Sequence, residues 1–328
     1  MSLKNSIIVI YMINADLKFS GLLHDPLDKC IDPRNHAIRA QNIADRLVKN
    51  LPDHISVIIK DHHFQTQISK ADRNASAANR GLIPHGSAVR EVVFQNPFSG
   101  YIIKLNRFDR PIIQIDHNSF PQNIADYPNE FNKLYWNLIY NYYQTYLKRY
   151  HAVAQSIFIL PEDTRVPSSP IVSHLTMTSA LSGCPENFYL VYVDIGGVQN
   201  LISNSRKTVD LWAGSYIFSL LALSIIEYFV AKFGADSIIM PWILEIPLVH
   251  AKLFNGKFDD EALLPLLPST VTAIICAHNK DKNELISEIK GKIKATWNDI
   301  VEKYIEYLQK DLQIKVDVQI IKNSLKFE

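Results

Sequence analysis

A histidine and an aspartate stand side by side near the start of the sequence, at His24 and Asp25. Imidazole nitrogen and carboxylate oxygen together suit a divalent metal such as Mn, Fe, Ni, Co or Zn. Water bound to such an ion loses a proton near neutral pH and can attack a phosphodiester. A dipeptide alone is a weak signal, because a chain with eleven histidines contains such pairs by chance. A metal site needs further ligands from elsewhere in the chain.

Three residues are candidates for those further ligands: His36, Asp72 and His174. The alternative for each of them is a hydrogen-bonded histidine or a helix cap. The pairs His62–His63 and Asp116–His117 are predicted to be surface or loop residues, because nothing regular surrounds them in the sequence.

A second group of residues has the chemistry to hold a phosphate. Asp210 stands where a helix N-cap belongs, and a helix start offers free N–H groups and positive potential. Charge and a hydroxyl are added by Arg206, Lys207 and Thr208. Gly214 and Ser215 follow in the first turn, where small residues let a base or a ribose come close. The alternative is a well-capped helix that packs on its sheet, with Trp212 in the core.

The run from Asp194 to Gln199 contains the sequence's only Gly-Gly pair, Gly196-Gly197. It directly follows a predicted strand, where glycine lets the backbone approach a phosphate or another strand closely. The run matches neither GxGxxG nor a Walker A loop, so a tight turn at the strand end is an equal alternative.

Hydrophobic periodicity predicts the elements that must position these residues. In the second half it predicts strands over 188–193, 237–240, 270–276 and 316–321 and helices over 211–233 and 282–308. Their order, β-α-β-β-α-β, is the split ferredoxin-like arrangement.

The first half is less regular. It predicts a buried strand or a helix start over 7–13, a helical aromatic stretch within 130–153, and a helix over 173–181. Gly183, Cys184 and Pro185 end that last helix, so we place a domain boundary there, giving domains 1–184 and 185–328.

Composition limits the class of protein. The 328 residues are 47% apolar and 20% charged, which excludes a disordered chain. The net charge of +1 means that contacts with nucleic acid must come from a local patch, from backbone amides or from partner subunits. Three scattered cysteines without CxxC spacing argue against a disulfide framework and a zinc ribbon, and they predict a reducing, cytoplasmic location. The apolar run 7–13 is too short to span a membrane.

Several motifs together resemble the large subunit of type III-B (Cmr-type) CRISPR effector complexes. The run from Asp194 to Ser215 resembles its first Palm domain, a cyclase-like domain. Residues 23–29 are similar to the family's LHDPPDK opening, with Leu27 in place of the second proline. Residues 160–180 resemble its LPADTR-P…HL-x-x-TSA block, and residues 72–76 its D-x-x-A-S motif. The resemblance extends from about residue 20 to about residue 300.

The resemblance implies an α+β fold, with a mainly helical HD-like domain followed by a ferredoxin-like Palm domain. In the HD-like domain, His24 and Asp25 would be the catalytic metal ligands, and Asp72 and His174 further ligands. The ion would be Mn, Ni, Co or Mg, and the substrate single-stranded DNA. In this reading the chain works with other Cmr-type subunits, crRNA and target RNA, without a membrane.

In the Palm domain, the resemblance implies that four residues face ATP: Ser205, Asp210, Gly214 and Ser215. Asp194 lies where related cyclases place a metal-binding acid. The GGDD motif of the family's second Palm is absent from this sequence, and the predicted hairpin at 241–245 has a single acid. The chain would therefore supply half of a cyclic oligoadenylate synthase site, completed by a GGDD-bearing chain or segment. A naturally split subunit and a truncated one both fit.

Two other interpretations remain open at this point. The HD region could be catalytically silent, and the chain would then be a scaffold that binds RNA, nucleotide and neighbouring subunits. Without the resemblance, the chain would be a standalone nucleotide-binding protein with a ferredoxin-like domain.

Overall fold

A computed structural model describes residues 17–26, 29, 35–41, 62–77, 91–95, 100, 102–106, 129–136, 162, 169–184, 187–254, 256–276 and 281–324. These residues form a mixed α+β protein with more helix than strand, so the predicted class is confirmed. The chain divides into two compact units, one of 1–190, 231–239 and 274–277, and one of 191–230, 240–273 and 278–328. The predicted boundary after residue 184 and the HD-like and Palm identities of the domains stay predictions.

The first half of the chain supplies three labelled helices and a hairpin: α1 (His62–Ala75), β1 (Glu91–Gln95), β2 (Ile102–Asn106), α2 (Asn129–Trp136) and α3 (Ile171–Ser182). Residues 17–22 and 36–41 are also helical. Strands β1 and β2 pair antiparallel, with Glu91 opposite Asn106. The predicted helix over 173–181 is confirmed as α3, and the aromatic stretch is helical over α2.

Helix α3 lies in the core of the first unit, and ten of its twelve residues are buried. Six of the twelve residues are serine, threonine or histidine, so small polar side chains are buried in this helix beside the apolar ones. Helix α1 packs along it through Ala71 and Ala75, which meet Ala180 and Leu181. These small side chains let the two helix backbones lie close together. Tyr135 of α2 is buried, and its hydroxyl lies 2.9 Å from Thr176 Oγ1.

The second half supplies the other labelled elements: β3 (Phe188–Asp194), α4 (Val198–Asn204), α5 (Thr208–Phe233), β4 (Ile238–Met240), α6 (Pro247–Leu253), β5 (Thr270–Cys276), α7 (Lys282–Lys310) and α8 (Val318–Ser324). Short 3₁₀ turns lie at Ala235–Ser237, Ile243–Glu245 and Asp260–Leu263. The three strands form a sheet of order β3-β5-β4. The first three strands and both helices predicted in this half are therefore confirmed.

Helix α5 is the longest apolar element among the described residues. An 18-residue window of this 26-residue helix has a mean hydropathy of 1.7, which by length and composition would suit a membrane span, and 44% of that window is buried inside the protein. Gly234 follows it with a φ of 96°, in the left-handed region that favours glycine. A Cβ at that position would lie 2.7 Å from Asp236 Oδ1. The predicted end of the helix at Gly234 is confirmed.

Two predicted features of the second half are wrong. The closing strand over 316–321 is the start of helix α8, because Asp317 Oδ1 accepts hydrogen bonds from the N–H groups of Gln319 (2.9 Å) and Ile320 (3.1 Å). The described residues therefore lack the final strand of the β-α-β-β-α-β order. The hairpin at 241–245 is also wrong, because β4 leads into a 3₁₀ turn and α6 before β5 begins at Thr270.

The prediction against disulfides is wrong as well. A disulfide joins Cys184, two residues after α3, to Cys276 at the end of β5. The two residues are 92 positions apart in the sequence, so spacing gave no sign of the pair. The cytoplasmic location stays a prediction.

The remaining predictions concern single residues and short segments. His62 and His63 begin helix α1, so they do not lie in a loop, and the predicted surface position stays a prediction. The strand over 7–13, the pair Asp116–His117 and Cys30 lie outside the described residues.

Candidate metal centre

Four side chains converge in the first unit: His24, Asp25, Asp72 and His174. One ligand atom from each lies within 4.8 Å of the others. His24 and Asp25 follow the helical residues 17–22, whereas Asp72 comes from α1 and His174 from the first turn of α3. The close packing of α1 on α3 sets Asp72 beside His174. The structure therefore brings together the four residues that the sequence nominated as ligands; metal binding itself stays a prediction.

The distances inside this group suit a shared cation. His24 Nε2 lies 3.3 Å from His174 Nε2 and 3.3 Å from Asp25 Oδ2. Asp72 Oδ1 lies 3.2 Å from His174 Nε2 and 3.7 Å from His24 Nε2. Four ligands at about 2.1 Å from a tetrahedral ion would lie about 3.4 Å from one another. The observed spacings lie on both sides of that value.

The other nitrogen of each imidazole also has a partner. His24 Nδ1 lies 2.6 Å from the carbonyl oxygen of Gly21, which can only accept a hydrogen bond. His174 Nδ1 lies 3.0 Å from Glu162 Oε2, close enough for an ion pair but without the geometry of a hydrogen bond. A proton on each Nδ1 leaves the lone pair of each Nε2 directed into the group, the usual arrangement of metal-binding histidines.

Glu162 is the residue of this site that the sequence reasoning missed. It is buried at 5% exposure, and its N–H donates to the carbonyl of Ser169 at 2.9 Å. The residue stands in the 160–167 motif, but nothing in that motif shows that its carboxylate meets His174. A buried carboxylate beside Nδ1 fixes the imidazole and increases the basicity of Nε2.

The charges of these side chains favour a positive charge inside the group. Burial lowers the pKa of His24, but the contacts with Asp25 and Asp72 outweigh it and raise the pKa to about 9. Burial also lowers the pKa of His174, and the contacts with Asp72 and Glu162 again raise it. Although burial opposes it, the histidines hold the pKa values of Asp25 and Asp72 well below their usual range. The two carboxylates therefore stay charged and favour protons or a cation between them.

An open cavity of about 370 Å³ lies beside the group. Its wall includes His24, Asp25 and Asp72, and it also includes Lys29 and His36. The ammonium of Lys29 contacts Asp25 Oδ2, and His36 Nε2 lies 3.9 Å from Asp25 Oδ1. His36 thus lies at the edge of the group. The cavity gives a ligand access to the carboxylates along a wall that carries an ammonium and an imidazole.

The predicted nucleotide-facing residues lie at the end of α4 and the start of α5. Ser205 ends α4, and Gly214 is buried in α5. The predicted N-cap position of Asp210 is wrong, because α5 begins at Thr208 and Asp210 is its third residue. Its Oδ2 accepts hydrogen bonds from the backbone N–H groups of residues 206 (3.1 Å) and 207 (3.0 Å). Ser215 Oγ donates to the carbonyl oxygen of residue 211 at 2.8 Å. Part of the donor capacity expected for a phosphate is therefore used inside the protein.

Two neighbouring residues add to this region. Trp212 is 41% exposed and stacks on Tyr216 with ring centroids 5.6 Å apart, so the alternative that placed it in the core is wrong. Asp194 ends β3, as predicted, and is exposed.

Comparison with known proteins gives the family context of both regions. Residues 190–302 match the family described as CRISPR-associated protein Cmr2, N-terminal. The chain is 25% identical over 361 residues to the CRISPR system Cmr subunit Cmr2 of Pyrococcus furiosus. The chain is similar to Cmr2. The resemblance predicted from the sequence motifs is thereby confirmed.

A second relative agrees. The CRISPR system CMR subunit Cmr2 of Saccharolobus solfataricus is 27% identical over 353 residues. The alignments cover 93% and 87% of this chain. They cover 40% and 32% of the two relatives, so the chain spans well under half the length of either protein.

Proposed function

We propose that this chain serves as the N-terminal part of a Cmr2-type large subunit in a type III-B CRISPR complex, and that its His/Asp group binds a divalent metal to cleave single-stranded DNA. The observation that carries the proposal is the convergence of two imidazole Nε2 atoms and two carboxylates beside an open cavity. The similarity to Cmr2 supports the choice of complex.

The protein's own residues divide the work. His24, Asp25, Asp72 and His174 would hold Mn, Ni, Co or Mg, which as a bound ion supplies a Lewis acid and an acidic water. The Gly21 carbonyl and Glu162 orient the imidazoles. Lys29 and His36 line the cavity next to the carboxylates, where the phosphodiester must lie for attack. Their positions suit contact with its anionic oxygens.

The experiment combines binding and cleavage. Mn²⁺ titration calorimetry and cleavage of a labelled single-stranded oligonucleotide are compared for the wild type, His24→Ala and Asp25→Ala. We expect both variants to lose cleavage and to bind Mn²⁺ at least tenfold more weakly. His250→Ala is the matched control, since His250 hydrogen-bonds Leu244 O far along the chain. Cleavage that survives both variants would contradict the nuclease, and a wild type that binds no metal would contradict the site.

A second part of the proposal concerns the start of α5. Ser205, Asp210, Gly214 and Ser215 would form the ATP-facing half of a cyclic oligoadenylate synthase site, completed by a GGDD-bearing chain or segment. The resemblance supports this, and so does the exposed Trp212 ring within the same turns. We expect Ser215→Trp to block synthesis in the complex reassembled with other Cmr-type subunits, crRNA and target RNA. Unchanged synthesis would contradict the half-site.

A scaffold role is the second candidate function. Strand β3 lies at the edge of its sheet, and Leu190 and Tyr192 are 66% and 64% exposed. Apolar side chains on a sheet edge are typical of a surface that pairs with another segment. If the wild type assembles with the other subunits but cleaves no DNA with Mn, Ni, Co or Mg, the scaffold role replaces the nuclease.

A further inference from the structure

A buried ionic cluster lies in the same unit as the candidate metal group but shares no residue with it. Asp236, in the 3₁₀ turn Ala235–Ser237, is fully buried, and Lys18 is 4% exposed. Lys18 Nζ donates to Asp236 Oδ1 at 2.8 Å and also contacts the carbonyl oxygen of Phe233. Asn132 Oδ1 holds the turn from its other side by accepting from the N–H of Ala235 at 2.7 Å.

A serine of α3 completes the cluster. Ser179 Oγ lies 2.7 Å from the carbonyl oxygen of Lys18 and 2.8 Å from Asp236 Oδ2. Ser179 is itself fully buried. The two carboxylate oxygens of Asp236 therefore reach two different segments, Lys18 through one oxygen and α3 through the other.

Those two segments are the ones that present the facing imidazoles. Lys18 belongs to the helical residues 17–22, which lead directly to His24, and Ser179 lies on the helix that carries His174. The spacing between His24 Nε2 and His174 Nε2 thus depends on how this segment and α3 are held together. A buried carboxylate with fixed partners is directional, whereas apolar contacts allow sliding.

We propose that Asp236 is a positioning residue for the candidate metal group: with Lys18 and Ser179 it fixes the separation of the two segments and so of the two Nε2 atoms. This inference rests on the proposed metal-binding function. Asp236 touches none of the four ligands and acts only through the segments that carry them.

The first test uses two buried serines, one of α3 and one of α5. Ser179→Ala removes the contacts with Lys18 and Asp236, whereas Ser224→Ala removes a hydrogen bond to Leu221 O within α5. Mn²⁺ affinity of the full chain is measured by titration calorimetry. We expect Ser179→Ala to weaken binding about tenfold, as loss of an outer-sphere support does, and Ser224→Ala to leave it within twofold. Equal affinities in the two variants would overturn the inference.

A second variant separates positioning from stability. The double change Lys18→Met and Asp236→Asn removes both buried charges at similar volume, so neither is left uncompensated. We expect its melting temperature to stay near that of the wild type while the Mn²⁺ affinity stays about tenfold lower. A double variant with wild-type affinity would overturn the inference but leave the metal site standing. A wild type that binds no Mn²⁺ would overturn the proposed function itself, and the inference with it.

Discussion

His24 Nε2 and His174 Nε2 face each other at 3.3 Å, although 150 residues separate them in the sequence. Their outer nitrogens are held by the Gly21 carbonyl and by Glu162. Two lone pairs at that distance repel unless a proton or a cation lies between them, and two carboxylates are placed to favour either one. The group is therefore organised around a positive charge.

The protonation of His24 predicts how stability depends on pH in metal-free protein. Its folded-state pKa is raised to about 9, above the unfolded value of 6.5. The stabilisation is therefore complete below pH 6.5 and is lost as the pH rises through 9. We expect the melting temperature in the presence of EDTA to fall between pH 6.5 and pH 9, and His24→Gln to flatten that fall.

Added Mn²⁺ is expected to stabilise the protein more at high pH than at low pH, opposite to the trend of the metal-free protein. A divalent ion must displace the imidazole proton, so the rise in melting temperature on adding Mn²⁺ should be larger at pH 8.5 than at pH 6. Differential scanning fluorimetry at the two pH values measures it. A rise that is equal at both, or larger at pH 6, would contradict metal binding through these histidines.

Glu162→Gln tests the support of His174 from outside the group. The amide keeps the size of the side chain but removes the charge that lies 3.0 Å from Nδ1. We expect Mn²⁺ affinity to fall about tenfold, because an outer carboxylate increases the basicity of the ligating nitrogen. Glu245→Gln, at an exposed glutamate, is the control and should leave affinity unchanged. A Glu162→Gln variant with unaltered affinity would remove Glu162 from the site.

The disulfide predicts a redox-dependent stability. Cys184 and Cys276 are 92 positions apart, and closing a loop of that length predicts that reduction lowers the free energy of unfolding by about 4–5 kcal/mol. Denaturant unfolding with and without dithiothreitol measures this. In Cys184→Ser the reductant should have no further effect. Identical unfolding curves for the oxidised and reduced wild type would show that the bond contributes nothing.

Replacing each of two glycines by alanine should change the free energy of unfolding in opposite directions. Gly234→Ala places a Cβ 2.7 Å from Asp236 Oδ1 at a φ of 96°, and should destabilise the protein by about 2 kcal/mol. Gly291 lies inside α7, and a Cβ there meets nothing within 4 Å, so Gly291→Ala should stabilise by up to about 1 kcal/mol. Thermal or denaturant unfolding of the two variants measures both changes. A Gly234→Ala variant as stable as the wild type would contradict the tight turn after α5.

Local sequence signals predicted the helices and strands better than they predicted which residues contact one another in the fold. The apolar runs of β3 and β5 and the long helices α5 and α7 carry their own periodicity, so their existence could be predicted from the chain alone. The helix after residue 316 could not be predicted, because its apolar residues fit a strand as well as a helix. The hydrogen bonds to the Asp317 side chain favour the helix.

In the candidate site, too, the sequence indicated individual residues but not the contacts between them. His24, Asp25, Asp72 and His174 were nominated from motifs; packing of α1 on α3 sets Asp72 beside His174, and the segment after residues 17–22 brings His24 and Asp25 to them. Glu162 was missed because nothing in its motif shows that its carboxylate meets His174, and the pair of Cys184 with Cys276 was missed because the two are 92 positions apart and leave no spacing pattern. Asp236 carries no motif either, since its role depends on burial beside Lys18.

The most direct test of the account is a crystal structure of the protein grown with Mn²⁺ and read by anomalous scattering. We expect a peak about 2.1–2.3 Å from the Nε2 atoms of His24 and His174 and from carboxylate oxygens of Asp25 and Asp72. We also expect the peak to disappear in His174→Ala. Absence of the peak in the wild type, or a peak bound by other residues, would contradict the metal centre and the nuclease proposed for it.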